Sequence, residues 1–120
     1  MAQTSAALSA STLIGDDVIN LEGESLGTIE ELMIDVKNGR IAYAVLSFGG
    51  FLGIGDKLFA VPWSAMSLNT EEEAFVLDVD REMLENAPGF DKDDWPEVVP
   101  EDDVWLMTVY EYYGCRPYWR

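Results

Sequence analysis

"ELMIDVKNGRIAYAVLSF", residues 31–48, decides the fold. Leu32, Ile34 and Val36 alternate, Asn38-Gly39 is the dipeptide that favours a type I′ turn, and Ile41, Tyr43 and Val45 resume the alternation. An apolar period of two on both sides of a tight turn predicts a β-hairpin. On its N-terminal side, "VINLEGESLGTI" (18–29) reads as two strand-like pieces around an acidic, glycine-containing turn. On its C-terminal side, "KLFAVPW" (57–63) is a further strand, and Pro62 places its end at an edge or bend. "NTEEEAFVLDVD" (69–80) gives a turn and then a strand with Phe75, Leu77 and Val79 on one face. "REMLENAPGF" (81–90) is a helical turn or two, stopped by Pro88 and Gly89. Short strands with turns every eight to twelve residues predict a mainly β chain, a small antiparallel barrel or sandwich.

Composition divides the chain in three. Residues 1–12 are small and polar and read as a flexible arm, and 13–90 carry the strand pattern of the barrel domain. Residues 91–103, "DKDDWPEVVPEDD", hold two prolines and seven acids against one lysine, which marks a linker or extended arm. The following "VWLMTVYEYYGCRPYWR" (104–120) is dense in aromatic rings. Asp102 or Asp103 can cap a short helix there, Gly114 can end it, and Pro117 prevents its return. The apolar residues of that helix fall on nearly all sides, unlike those of a helix with one face in water.

The charge is lopsided, with 23 acidic against 7 basic residues and a net of −16. Phosphate backbones and anionic membrane surfaces are repelled by such a chain, so neither nucleic acid nor a membrane is an expected partner. Acidity serves solubility, or it attracts a basic protein. Histidine is absent and Cys115 is the single cysteine, which removes the commonest general base, any intrachain disulfide and any cysteine-based zinc site. No apolar run approaches the roughly 20 residues that span a bilayer. The first dozen residues lack the basic start and apolar stretch of a signal peptide, so the expected location is cytoplasmic.

"GGFLGIGDKLFAVPW" (49–63) poses the one enzymatic question. Gly50 and Gly55 have the spacing that opens a phosphate-binding loop, but Asp56 and Lys57 stand where Lys and Ser or Thr belong. A dinucleotide fingerprint on Gly53 and Gly55 fails at Leu58. A strand follows the loop, whereas phosphate cradles open into a helix N-terminus. The loop is therefore architecture, and its apolar Phe51, Leu52 and Ile54 either plug one barrel end or form a contact site.

These residues carry a family resemblance. Leu13-Ile14-Gly15, the Gly27 strand, Asp35 with its Asn38-Gly39 hairpin, and Gly53-Ile54-Gly55-Asp56-Lys57 leading to Val61-Pro62-Trp63 resemble the PRC-barrel domain. That domain is the cytoplasmic barrel of the photosynthetic reaction-centre H subunit, and the resemblance runs from about Leu13 to Phe90. The ending "YEYYGCRPYW" (110–119) is similar to that of stand-alone bacterial members. Neither the domain preceding this barrel in the ribosome-maturation factor nor the reaction-centre subunit's anchor is seen, so neither role is expected. The resemblance implies a small β-barrel that binds other proteins, with no catalytic residues or cofactor.

The residues themselves offer little chemistry. Asp16 with Asp17, or Asp91 with Asp93 and Asp94, could pair carboxylates, but the calcium-loop spacing is missing. Cys115 has no histidine to activate it. The tail is richer: Trp105, Tyr110, Tyr112, Tyr113, Tyr118 and Trp119 lie beside Arg116 and Arg120, residue types that anchor interfaces. Three destinations are open to it: its own barrel, a second copy, or a different protein. The expectation is a non-catalytic protein-interaction module, homodimeric through its tail. Its contact residues are Phe51, Leu52, Ile54, Trp105, Tyr112, Tyr113, Arg116, Tyr118 and Trp119. The alternative is a small-ligand or divalent-cation binder using the acidic segment or a barrel-end pocket.

Overall fold

The protein is seen in a computed structural model that describes residues 7–48, 57–69 and 74–119. Its elements run α1 (Ala10–Leu13), β1 (Asp17–Ile19), β2 (Ser25–Asp35), β3 (Arg40–Ser47), β4 (Lys57–Val61), β5 (Met66–Asn69), β6 (Ala74–Leu77), α2 (Arg81–Glu85), β7 (Gly89–Asp91) and α3 (Val104–Tyr112). Short 3-10 turns lie at Trp63–Ala65 and Pro100–Asp102. Among the described residues the strands form one seven-stranded sheet in the order β5-β6-β1-β2-β3-β4-β7. Every pair is antiparallel except β1 with β6. The fold is mainly β, as the hairpin and turn spacing predict.

The hairpin forms, but its turn differs from the sequence expectation. Asp35 pairs with Arg40, leaving a four-residue loop in place of a two-residue type I′ turn. The Asp35 carboxylate is the cause, accepting from the Asn38 backbone N–H at 3.1 Å and the Asn38 Nδ2 at 2.9 Å. The Gly39 N–H then donates to the Asp35 carbonyl at 2.8 Å, with Gly39 at a φ of +66°. A short acidic side chain has offered the backbone a better-satisfied loop than the tight turn.

Register breaks shape the sheet. The β1–β2 register slips between Val18 and Ile19, and the β2–β3 register slips between Ile29 and Glu31 and again between Met33 and Ile34. Each bulge bends and twists its strand, which curls the sheet. Trp63, just beyond β4, thereby meets Phe75 of β6 from the other side of the strand order, with ring centroids 5.4 Å apart. The bulges also spoil the alternation. Leu26, Ile29 and Leu32 point inward, whereas Ile34 and Val36 face solvent. At Gly27 (φ +122°) an added Cβ would collide with the Ser47 carbonyl of β3. Only glycine lets these two strands approach so closely.

Two apolar cores result. The inner one gathers Val18, Leu26, Ile29, Leu46, Phe59, Val61, Phe75, Leu77 and Leu84 inside the curl. The second lies outside the sheet, where Ala42, Tyr43, Val45, Leu58 and Ala60 of β3 and β4 meet Leu106, Val109 and Tyr110 of α3. Burial on both faces explains why β3 is buried continuously from Ala42 to Leu46.

Candidate functional site

The C-terminal tail collects most of the contact residues expected from the sequence. Asp103 caps α3, its carboxylate accepting the Leu106 N–H at 2.7 Å. The helix ends where the Cys115 N–H donates to the Tyr110 carbonyl at 2.9 Å and Gly114 takes a φ of +68°.

Three tyrosine hydroxyls fasten this segment to the chain's own barrel. Tyr110 donates to the Ala42 carbonyl of β3 at 2.7 Å, and Tyr112 to the Met83 carbonyl of α2 at 2.6 Å. Tyr118 donates to the Asp35 carboxylate at the hairpin loop, at 2.5 Å. Within the described chain the tail thus packs on its own barrel. Trp105 stands edge-on to Tyr43 at 5.7 Å and to Phe90 at 6.1 Å. Trp119 stands edge-on to Tyr110 at 5.2 Å and to Tyr118 at 4.9 Å. Tyr113 is partly buried against both cores, its hydroxyl without a partner among the described residues. Arg116 alone of the tail's expected contact residues is exposed. Phe51, Leu52, Ile54 and Arg120 lie outside the described residues.

The titration of these groups follows their surroundings. Burial pushes the Tyr110 hydroxyl up to about 12, with the nearby Cys115 adding and Arg40 opposing. Burial, then the Asp103 charge, pushes Tyr43 up to about 12 as well. Tyr113 is pushed up by burial and Tyr118 by burial and then its bond to Asp35. The same bond, then those from Asn38, holds the Asp35 carboxyl below its ordinary value against the opposing effect of burial.

Two surface hollows are formed where the tail and the linker meet the sheet. A cleft of about 500 Å³ is bounded by Arg40 and Ile41 of β3, Trp63, and Arg116, Pro117 and Tyr118 of the tail. A smaller groove of about 290 Å³ runs between β2 and residues 96–100, lined chiefly by Met33, Ile34, Val36, Pro96, Val98 and Val99. The Lys37 ammonium and Glu101 carboxylate, 3.2 Å apart, tie that hairpin to the linker. Arg40, Trp63 and Val36 escaped the sequence reading as surface-forming residues. Their neighbours in the two hollows come from distant parts of the chain, and no local pattern marks them. Among the described residues no three His, Cys, Asp or Glu side chains converge as a metal site. No described helix is long and apolar enough to cross a membrane.

The curled, bulged sheet with its glycine-dependent β2–β3 approach is the body on which these features sit. Compared with known families, residues 6–84 match the PRC-barrel domain. The chain belongs to the PRC-barrel family. The matched PRC-barrel region ends within α2, so β7, the acidic segment and the whole of α3 lie beyond it. No curated protein matches the chain.

Proposed function

We propose that this PRC-barrel chain is a non-catalytic, cytoplasmic protein-interaction module that self-associates through the groove between its hairpin and the linker leading into its C-terminal tail, the tail supporting that surface and not itself forming the contact. The observation carrying this reading is the apolar groove between the hairpin and the linker. Val36 is 88% exposed, Val99 66% and Ile34 54%, a group of large aliphatic side chains offered to solvent on one small area. Clustered exposure of that kind marks a contact surface, while isolated apolar side chains do not. The groove itself adds no local charge repulsion to such a contact. Two chains of net charge −16 repel, and here the nearby Lys37 charge is matched by Glu101. A twofold pairing, the commonest assembly, places the same groove on both sides of one interface. The aliphatic residues of the linker then make the contact, and the aromatic rings hold the tail in place to present them. A free single cysteine fits a reducing compartment.

Sedimentation equilibrium of the full chain tests the reading. The chain is expected to be a dimer, and Val36→Asp with Val99→Asp to be a monomer with an unchanged melting temperature. A monomeric wild type over the accessible concentration range, or a double variant that still pairs, would refute self-association.

A further inference from the structure

The larger cleft is not used by self-association through the groove, and its chemistry is unlike the rest of the molecule. In a chain with 23 acids and 7 bases, Arg40 and Arg116 both face it, and no carboxylate is among its lining residues. Among the described residues neither arginine forms an ion pair. The nearest acid of the hairpin loop, Asp35, is buried and already holds three donors from Asn38 and Tyr118. Its charge is therefore turned inward and satisfied.

The arginines differ in what holds them. The Arg40 guanidinium lies over the Tyr118 ring, 5.0 Å from its centroid. This cation–π contact anchors the guanidinium to the tail, and a guanidinium so held can offer its fork of N–H groups to an oxygen pair. Arg116 is exposed and lines the same cleft. Trp63, Ile41 and Pro117 add apolar lining to the same cleft. One anchored and one exposed arginine beside an apolar surface suit a carboxylate flanked by a large apolar group.

The size and field of the molecule narrow the class further. A volume of about 500 Å³ admits a few residues of extended chain. The net charge of −16 repels a polyphosphate far more than it repels a single carboxylate. We propose that this cleft docks a short acidic peptide segment of another protein, Arg40 and Arg116 pairing with its carboxylate while a neighbouring apolar side chain lies on Trp63. The tail then has a second task, since docking α3 and bonding Tyr118 to Asp35 builds one wall of the cleft.

Selection of a random heptapeptide display library on the immobilised full-length chain, followed by calorimetric titration of a synthetic consensus peptide, tests the proposal. Enriched sequences are expected to carry Asp or Glu next to Phe, Leu, Ile or Trp. Arg40→Gln with Arg116→Gln is expected to weaken the consensus peptide about tenfold or more. Replacing its acid by the amide is expected to do the same. Should the double variant lose its fold, Arg116→Gln alone, at an exposed residue, carries the comparison and is expected to weaken binding in the same direction. No enrichment, or enrichment of basic peptides, overturns the proposal. So does a consensus peptide bound equally by wild type and variants, which would leave protein binding standing and place it elsewhere. A consensus that reproduces a stretch of this chain and dissociates its dimer also overturns it, by making the occupant a second copy.

Discussion

Tyr110 and Tyr43 face each other's elements across the outer core, and their hydroxyls have opposite fortunes. Tyr110 reaches the Ala42 carbonyl, whereas the Tyr43 hydroxyl is buried with no partner among the described residues. Removing a satisfied buried hydroxyl strands its acceptor, and removing an unsatisfied one takes away a desolvated group. Tyr110→Phe is thus expected to lower stability by about 1–2 kcal/mol, and Tyr43→Phe to leave it unchanged or raise it by up to about 1 kcal/mol. Urea denaturation of the two variants checks the contrast, and equal losses would contradict it. The Asp35–Tyr118 pair gives the tail a pH window. The folded Asp35 carboxyl lies below its ordinary 3.8, so its stabilisation is complete above that value and is lost as pH falls through the folded one. The Tyr118 hydroxyl lies above its ordinary 10.0, so its contribution is complete below that value and is lost as pH rises further. Asp35→Asn is expected to be less stable than wild type at neutral pH, with the gap closing below pH 3.8. A gap independent of pH would mean that the carboxylate charge is irrelevant.

At the scale of elements, the sequence shows strands well where their period is intact and poorly where it is not. The hairpin, the strands at 57–61 and 74–77, the helical turn at 81–85 and the capped helix ending at Gly114 were all legible. Strand β5 and strand β7 were not, because they stand at the two ends of the strand order and neither has a buried residue, so no core-facing apolar run marks them. The alternation of Leu32, Ile34 and Val36 does not mark one buried face, since the bulge between Met33 and Ile34 shifts the in–out phase without changing the composition. The run from Ala42 to Leu46 held a clue that an alternating reading passes over. Unbroken apolar residues in a strand signal cover on both faces, and here α3 supplies the second cover. Truncation after Phe90 tests that role. It bares the outer faces of β3 and β4 and is expected to give an aggregating species, seen by light scattering. A soluble, folded barrel would show that the tail is not needed to shield the sheet.

Over the whole molecule, charge and contact surfaces act against one another. A net charge of −16 on each partner opposes any pairing of copies, and salt screens that repulsion beyond a Debye length of roughly 10 Å at 0.1 M. The proposed dimer is therefore expected to tighten when sodium chloride is raised from about 0.05 M to about 0.5 M, as measured by sedimentation. Loosening would instead point to charge pairs across the interface. The tail's bond from Tyr118 to Asp35 spans 83 positions of the chain, and Tyr110 to Ala42 spans 68. During translation at about 5–20 residues per second, Tyr118 is added roughly 4–17 s after Asp35. The hairpin has left the ribosome while the helix that shelters it is still being made. Its outer face is bare for that interval, when a chaperone or a neighbouring nascent chain can reach it. A slow codon between residues 91 and 103 would lengthen this exposure without altering the finished protein at all.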